Sequence, residues 1–417
     1  MSRFPFLRRA LVCLTVCTIA STAIAEDWTD LRGDYDALRN YLNAKRRIGD
    51  DDRSSLSALQ TRLDAFRAEH PTDPRPVAMD LQIAEWLGDD DRIDADYETL
   101  ASLSENDRIQ VRWAKHRLGM NRYDDVAAII QRNPVDFAAE PEGAILLARS
   151  HMSRNRFQDA IDAVDAIPED GLKKPGIRGR ANRIRGEASR WLALWSDELV
   201  LRAAEEAAGT APIMQLVTSK GPVTILLFED QAPNTVANFI ELAEKDFFDG
   251  TRFHRVEPNF VVQGGDPNSR PGSTTPPGGG GRGARIRDES DRPDKRYHFA
   301  GSVAMAKSPD PQKPGSTVKD SGSSQFYIVL EPMENLNAEY TVFGRVIDGM
   351  NVVEAIRRDD DLTDVVTVSR PDRSYVAETL ALPGIPKAGT PLPDELRTKP
   401  AETDSDAPSD TNAPTDP

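Results

Sequence analysis

The period of the hydrophobic positions changes partway along this chain. From about Asp27 to Gly209, apolar residues recur at helical spacing, with few β-branched runs and with breaks at Gly, Pro and Asp clusters. Near Ala211 the period shortens to two. Ile213-Met214-Gln215-Leu216-Val217 and Val223-Thr224-Ile225-Leu226-Leu227-Phe228 flank Ser219-Lys220-Gly221-Pro222, which predicts two strands around a turn. Ala232-Pro233-Asn234-Thr235 then opens an amphipathic helix with Val236, Phe239, Ile240 and Leu242 as its apolar stripe. Short strands and Gly/Pro-rich loops continue to about Val368. Residues 400–417 hold Glu402, Asp404, Asp406, Asp410, Asp416 and four prolines, with no basic residue. Such a segment cannot bury enough apolar surface to offset its ordering entropy, so disorder is expected from about residue 385.

The helical part has an internal period. Ala114, Asn121, Tyr123 and Val126 recur 34 residues later as Ala148, Asn155, Phe157 and Ala160, and Pro168 falls where a repeat would end. Small residues at Ala114 and Ala148 let paired helices approach closely, while Tyr123 and Phe157 fill the space beside each turn. A weaker copy runs through Ala84, Gly88 and Tyr97. This pattern resembles the tetratricopeptide repeat, which implies stacked helical hairpins and a surface for a protein partner.

The N-terminus modifies this picture. Arg3, Arg8 and Arg9 precede the apolar run Ala10–Ala20, and Ala23-Ile24-Ala25 stands before Glu26 and Asp27. A basic start, a short apolar core and an A-x-A site predict a secretory signal peptide over residues 1–25. The expected destination is the periplasm, with secretion from the cell left open, and no membrane span is expected after cleavage. Both cysteines, Cys13 and Cys17, lie in this segment, so no disulfide, thiol nucleophile or thiolate metal site is expected in the mature protein. Five histidines lack metal-ligand spacing, and no metal or cofactor is expected. A formal net charge of −16 argues against nucleic acid as a partner. The predicted organisation is 1–25 signal peptide, 26–209 helical region, 210–372 β-rich domain and 373–417 C-terminal extension.

Two clusters in the β-rich part carry candidate chemistry. The first is Phe253-His254-Arg255-Val256-Glu257-Pro258-Asn259-Phe260-Val261-Val262-Gln263-Gly264-Gly265-Asp266, two short strands joined at the turn pair Pro258-Asn259. Arg255 projects from the first strand and Gln263 from the second. Phe260 and Gln263 differ by an odd number, so the turn must re-aim one of them for a shared face. The second cluster joins Gly301-Ser302-Val303-Ala304-Met305-Ala306 to Ser323-Ser324-Gln325-Phe326-Tyr327-Ile328-Val329-Leu330. Alternation puts Gln325 and Tyr327 on one face, toward a groove, and Phe326 on the other, toward a core. The segment 268–284 is glycine-rich but lacks a helix-opening Gly-Lys-Ser/Thr, so it reads as a flexible loop.

Taken in order with Val342-Phe343-Gly344-Arg345-Val346 and Gly349-Met350, these segments resemble the cyclophilin family over roughly residues 211–370. The resemblance implies a closed eight-stranded antiparallel barrel capped by two helices, at Ala232–Glu244 and Gly349–Arg357. It also implies isomerisation of X–Pro peptide bonds without cofactor, metal or covalent intermediate. By the same resemblance Arg255 is the catalytic residue, with Gln263 and Phe260 beside it. Val261, Tyr327 and Leu336 line the proline pocket, Ala306 and Gln325 bind the residues before the proline, and Lys307 and Tyr340 complete the substrate-binding set. Departures from the family pattern lie at Tyr327, where Phe is frequent, and at Asn335, Tyr340 and Lys307 on the rim. His254 reads as structural, because rotation about an amide needs no proton transfer.

The expected function is therefore an exported foldase acting on proline-containing polypeptides. The competing expectation is a low-turnover proline-peptide binding module with a helical scaffold in an envelope complex.

Overall fold

The computed structural model describes residues 27–381 apart from positions 46, 105 and 133; the predicted signal peptide and the acidic tail lie outside the described residues. The chain divides into two compact units, one ending at Leu192 and the other beginning at Ala193. The division falls inside one long helix, Ile177–Ala208.

In the first unit the Asp and Asn clusters that interrupt the apolar period cap helices. Asp27, Asp73, Asp89 and Asn106 each accept a hydrogen bond from a first-turn N–H at 2.9–3.1 Å. The 34-residue recurrence has a structural counterpart. Asn121 and Asn155 both take the left-handed conformation, with φ 62° and 55°. They separate Asp107–Gly119 from Tyr123–Arg132 and Glu142–Met152 from Phe157–Asp165. The backbone bonds Arg122 N–H to Arg117 O and Arg156 N–H to His151 O, each 2.9 Å, recur at the same offset. Tyr123 and Phe157 are buried at the start of the second helix of each pair, and Ala114 and Ala148 are buried in the first. One feature had no sequence signal: Asp80, fully buried, accepts from Gln60, Arg67 and Arg92, and Arg67 also reaches Asp96 at 2.8 Å.

The second unit contains the end of the long helix, closed by Gly209 at φ 60°, and a curled antiparallel sheet. Its strands are β1 Ile213–Thr218, β2 Gly221–Leu227, β3 Thr251–Arg252, β4 Arg255–Glu257, β5 Val261–Gly264, β6 Ser302–Met305, β7 Phe326–Val329, β8 Val342–Asp348 and β9 Asp361–Ser369. They are ordered β3-β9-β1-β2-β8-β6-β7-β5-β4. The expected eight strands are nine among the described residues, because Thr251–Glu257 is interrupted at Phe253-His254. Its first half pairs with β9 and its second with β5, so one interrupted segment supplies both edges of the sheet. The first hairpin turns at Ser219-Lys220, with Thr218 opposite Gly221. Helices Pro233–Ala243 and Met350–Ala355 form within the two segments expected to be helical.

Strand alternation sends Phe326 into the core. There it meets Phe239 edge-on at 5.4 Å and Phe248 at 5.8 Å, with Phe343 5.3 Å from Phe239. All four rings are fully buried, each contributing roughly 2–3 kcal/mol by transfer from water. That packing fixes the register of β7, and the register decides what its other face presents.

Candidate active site

Register places Arg255, Gln263, Tyr327 and Ala304 in one row across four strands. Arg255 lies opposite Gln263, Gln263 opposite Tyr327, and Tyr327 opposite Ala304. Directly opposed residues share a face, so Arg255, Gln263 and Tyr327 project together. The turn after β4 puts Asn259 at φ 58°, with Phe260 N–H bonded to Glu257 O at 3.1 Å. Phe260 therefore precedes β5, and its side is set by the turn rather than by alternation. Its ring lies 5.5 Å from the Arg255 guanidinium carbon.

A chain of hydrogen bonds runs along this row with one direction. Arg255 Nη1 donates to Gln263 Oε1 at 3.1 Å, Gln263 Nε2 donates to Gln325 Oε1 at 2.9 Å, and Gln325 Nε2 donates to Asp266 Oδ2 at 3.1 Å. Arg255 also stands 3.7 Å from Glu257, and its side chain is 45% exposed. The rest of its donor fork thus faces outward, available to an incoming acceptor. Asp266 is fully buried and anchors the chain. It accepts from the backbone N–H groups of Asn268, Gly278 and Gly280 at 2.8, 2.5 and 3.1 Å.

Two residues of the glycine-rich segment, Gly278 and Gly280, are therefore tied to Asp266. Gln325 Nε2 also donates to the carbonyls of Gly278 and Gly280, at 3.1 and 2.9 Å. At Gly280 an added Cβ would run into Asp266 Oδ1 and stand 2.9 Å from Asn268 Nδ2. Gly280→Ala is expected to destabilise the protein by about 2 kcal/mol, the cost typical of overpacking. A thermal melt checks this, and an unchanged midpoint would show that the loop does not need that close approach.

Beside the polar row stands an apolar wall. Val261, Tyr327 and Leu336 are buried in one cluster with Phe228, Ala304 and Val342, and Phe260, Ala306 and Tyr340 pack against it half-buried. The Tyr340 ring meets Tyr327 edge-on at 5.7 Å. Ala306 N–H donates to Gln325 O at 2.9 Å, holding the second cluster's two segments together. The Lys307 ammonium lies 6.0 Å from the centre of the Tyr340 ring. It donates to Asp288 Oδ2 at 2.6 Å and to Glu339 O at 3.0 Å, and both charged side chains are buried. A buried ammonium is held by its partners and ties the loop to the rim.

Sequence reasoning missed His298 and Asn337. The Tyr327 hydroxyl, an oddity in an apolar cluster, bonds His298 Nε2 at 3.0 Å. Asn337 Oδ1 takes both the backbone N–H and Nδ1 of His298, each at 2.9 Å. Nδ1 therefore carries the proton, and Nε2 accepts from the tyrosine. Burial raises the Tyr327 pKa well above its ordinary value. His254, by contrast, is buried beside the row with its pKa lowered by burial.

Burial also holds His298 neutral, its pKa pushed down to about 4. An unfolded histidine titrates near 6.5, so between these values the unfolded chain binds a proton that the folded one excludes. This contribution leaves stability intact above about pH 6.5 and lowers it, by up to about 3 kcal/mol, as pH falls toward 4. Urea unfolding across that window is expected to show the decline, with a flatter slope in His298→Leu. Equal slopes would contradict the buried neutral ring.

Residues 213–376 match the family model "Cyclophilin type peptidyl-prolyl cis-trans isomerase/CLD". A peptidyl-prolyl cis-trans isomerase of Synechococcus elongatus is 37% identical over 157 residues, covering 37% of this chain and 94% of the relative. Peptidyl-prolyl cis-trans isomerase B of Bacillus subtilis is 40% identical over 139 residues, covering 33% and 85%. A solved cyclophilin-type isomerase of Cryptosporidium parvum matches at 28% identity and a TM-score of 0.32, covering 39% of this chain and 99% of its own. The chain belongs to the cyclophilin-type peptidyl-prolyl cis–trans isomerase family.

Proposed function

We propose that this protein is an exported foldase whose β-rich unit rotates X–Pro bonds in client polypeptides. The observation that carries the reading is the one-directional chain Arg255–Gln263–Gln325–Asp266 beside the apolar wall of Phe260, Val261, Tyr327 and Leu336. The proline ring packs on that wall, and the preceding residues lie along Ala306 and Gln325. Arg255 donates to the prolyl region as the amide twists, a state in which resonance is lost and the nitrogen gains acceptor character. Gln263 orients the guanidinium and holds substrate backbone. The uncatalysed barrier is about 18–20 kcal/mol, and a ~10⁵-fold acceleration needs about 7 kcal/mol of selective transition-state binding. Held dipoles and shape can supply this without bond making.

Two structural readings go with this function. The shared origin of the two sheet edges in Thr251–Glu257 supports a closed eight-stranded barrel. The left-handed Asn121 and Asn155 with their repeated backbone bonds support tetratricopeptide-like hairpins that engage a protein partner or client. Export rests on the leader pattern of residues 1–25, and the periplasm is the destination we favour. No helix among the described residues is long and apolar enough to cross a membrane.

A protease-coupled assay on an X–Pro peptide tests the activity, and N-terminal sequencing of the protein from fractionated cells tests the export. Wild-type turnover above background and a mature start near Glu26 are expected. Peptide binding without turnover would favour a binding module instead.

A further inference from the structure

The last turns of the long helix, from Ala193 onward, precede the family match at 213–376 yet belong to the same compact unit as the sheet. They grip the segment that carries His298 on both sides of it. On one side, the Arg296 guanidinium is 1% exposed and forks onto Glu198, with Nε and Nη2 donating at 2.9 and 2.7 Å, while Nη1 donates to Glu205. On the other side, Phe299 meets Trp195 edge-on at 4.8 Å. The Arg296 guanidinium carbon also lies over Phe228, 3.8 Å from the ring centre, and Phe228 shares a cluster with Tyr327. Arg345, within β8, completes the contact at 3.5 Å from Glu205.

A buried guanidinium held by two carboxylates is a poor source of net stability, because desolvation offsets the attraction. What such a fork does well is fix orientation, since planar, paired bonds tolerate little rotation. Here it fixes residue 296, two positions ahead of the imidazole that accepts from Tyr327.

Resting on the isomerase reading above, we propose that the segment Ala193–Ala208 is a positioning element of the catalytic unit. It acts through Arg296 and Phe299 on His298, and His298 sets the plane of the Tyr327 ring in the proline pocket. The segment therefore tunes how the pocket accepts proline, and Glu198, Arg296 and His298 are positioning residues rather than catalytic ones.

Kinetics on the full-length chain test this with two independent perturbations, Glu198→Gln on the charged side and Trp195→Leu on the aromatic side. Each is made with Tyr327 intact and again combined with Tyr327→Phe, which removes the hydroxyl that His298 holds. With Tyr327 intact, each variant is expected to raise KM and to lower kcat/KM by about fivefold, the scale of coupling between contacting residues. Combined with Tyr327→Phe, the same changes are expected to alter kcat/KM by less than about twofold, because the coupling has lost its endpoint. A purely structural clamp would lower the melting temperature without this dependence on the hydroxyl. Equal losses in both backgrounds, or unchanged kcat/KM in both variants, would overturn the proposal while leaving the isomerase reading intact. Absence of wild-type turnover would defeat that reading and this one with it.

Discussion

Arg255→Ala is expected to lower kcat/KM on an X–Pro peptide by about 10²- to 10³-fold, the loss typical of removing one donor aimed at developing charge. The fold should survive. Arg255 is nearly half exposed, makes one bond within its row at 3.1 Å and stands over Phe260, so truncation should cost no more than about 1 kcal/mol. Because the interaction is strongest with the twisted amide, kcat should fall more than KM rises. Arg255→Lys should not restore full activity, since an ammonium cannot both hold Gln263 and present a rigid fork to substrate. Progress curves over a range of peptide concentrations, with a thermal melt of the same sample, separate these effects. A variant that keeps wild-type kcat/KM would remove Arg255 from the mechanism.

Asp266→Ala should be the most damaging change for stability near the site. The carboxylate is fully buried and accepts from three backbone N–H groups and from Gln325. Deleting it strands those donors, and with water replacing part of the loss the cost is about 3 kcal/mol or more. The glycine segment should loosen, and Gln325, no longer held from below, should release Gln263. Activity should therefore drop even in molecules that remain folded. Denaturant unfolding paired with active-fraction kinetics checks both parts. Asp266→Asn preserves the shape but replaces one acceptor with a donor, so it should remain well short of wild type. A fully active, equally stable Asp266→Ala would contradict the anchoring role.

Local patterns were readable where a short period governs the outcome. Alternation places Phe326 and Tyr327 on opposite faces, and the structure has one among core phenylalanines and the other in the groove cluster. The row Arg255–Gln263–Tyr327 needed register, which follows from that same alternation once β7 is fixed. Features that depend on partners far along the chain were not readable. The ion pair of Lys307 has no local signal, because Asp288, its buried partner, lies 19 residues away. The glycine run looked flexible by composition, and only the carboxylate of Asp266 beneath it explains why it is held. His298 gave no signal as an isolated histidine, and its role emerges from contacts to Tyr327 and Asn337.

Exchange NMR on an Ala-Pro peptide with a small fraction of full-length protein reads the rotation itself, with no coupling enzyme. Uncatalysed exchange takes tens to hundreds of seconds, so cis–trans cross-peaks at mixing times of about a second require catalysis. Cross-peaks that grow with the wild-type protein and vanish with Arg255→Ala are the predicted result. Peptide signals that shift on binding while exchange stays at the uncatalysed rate would contradict it.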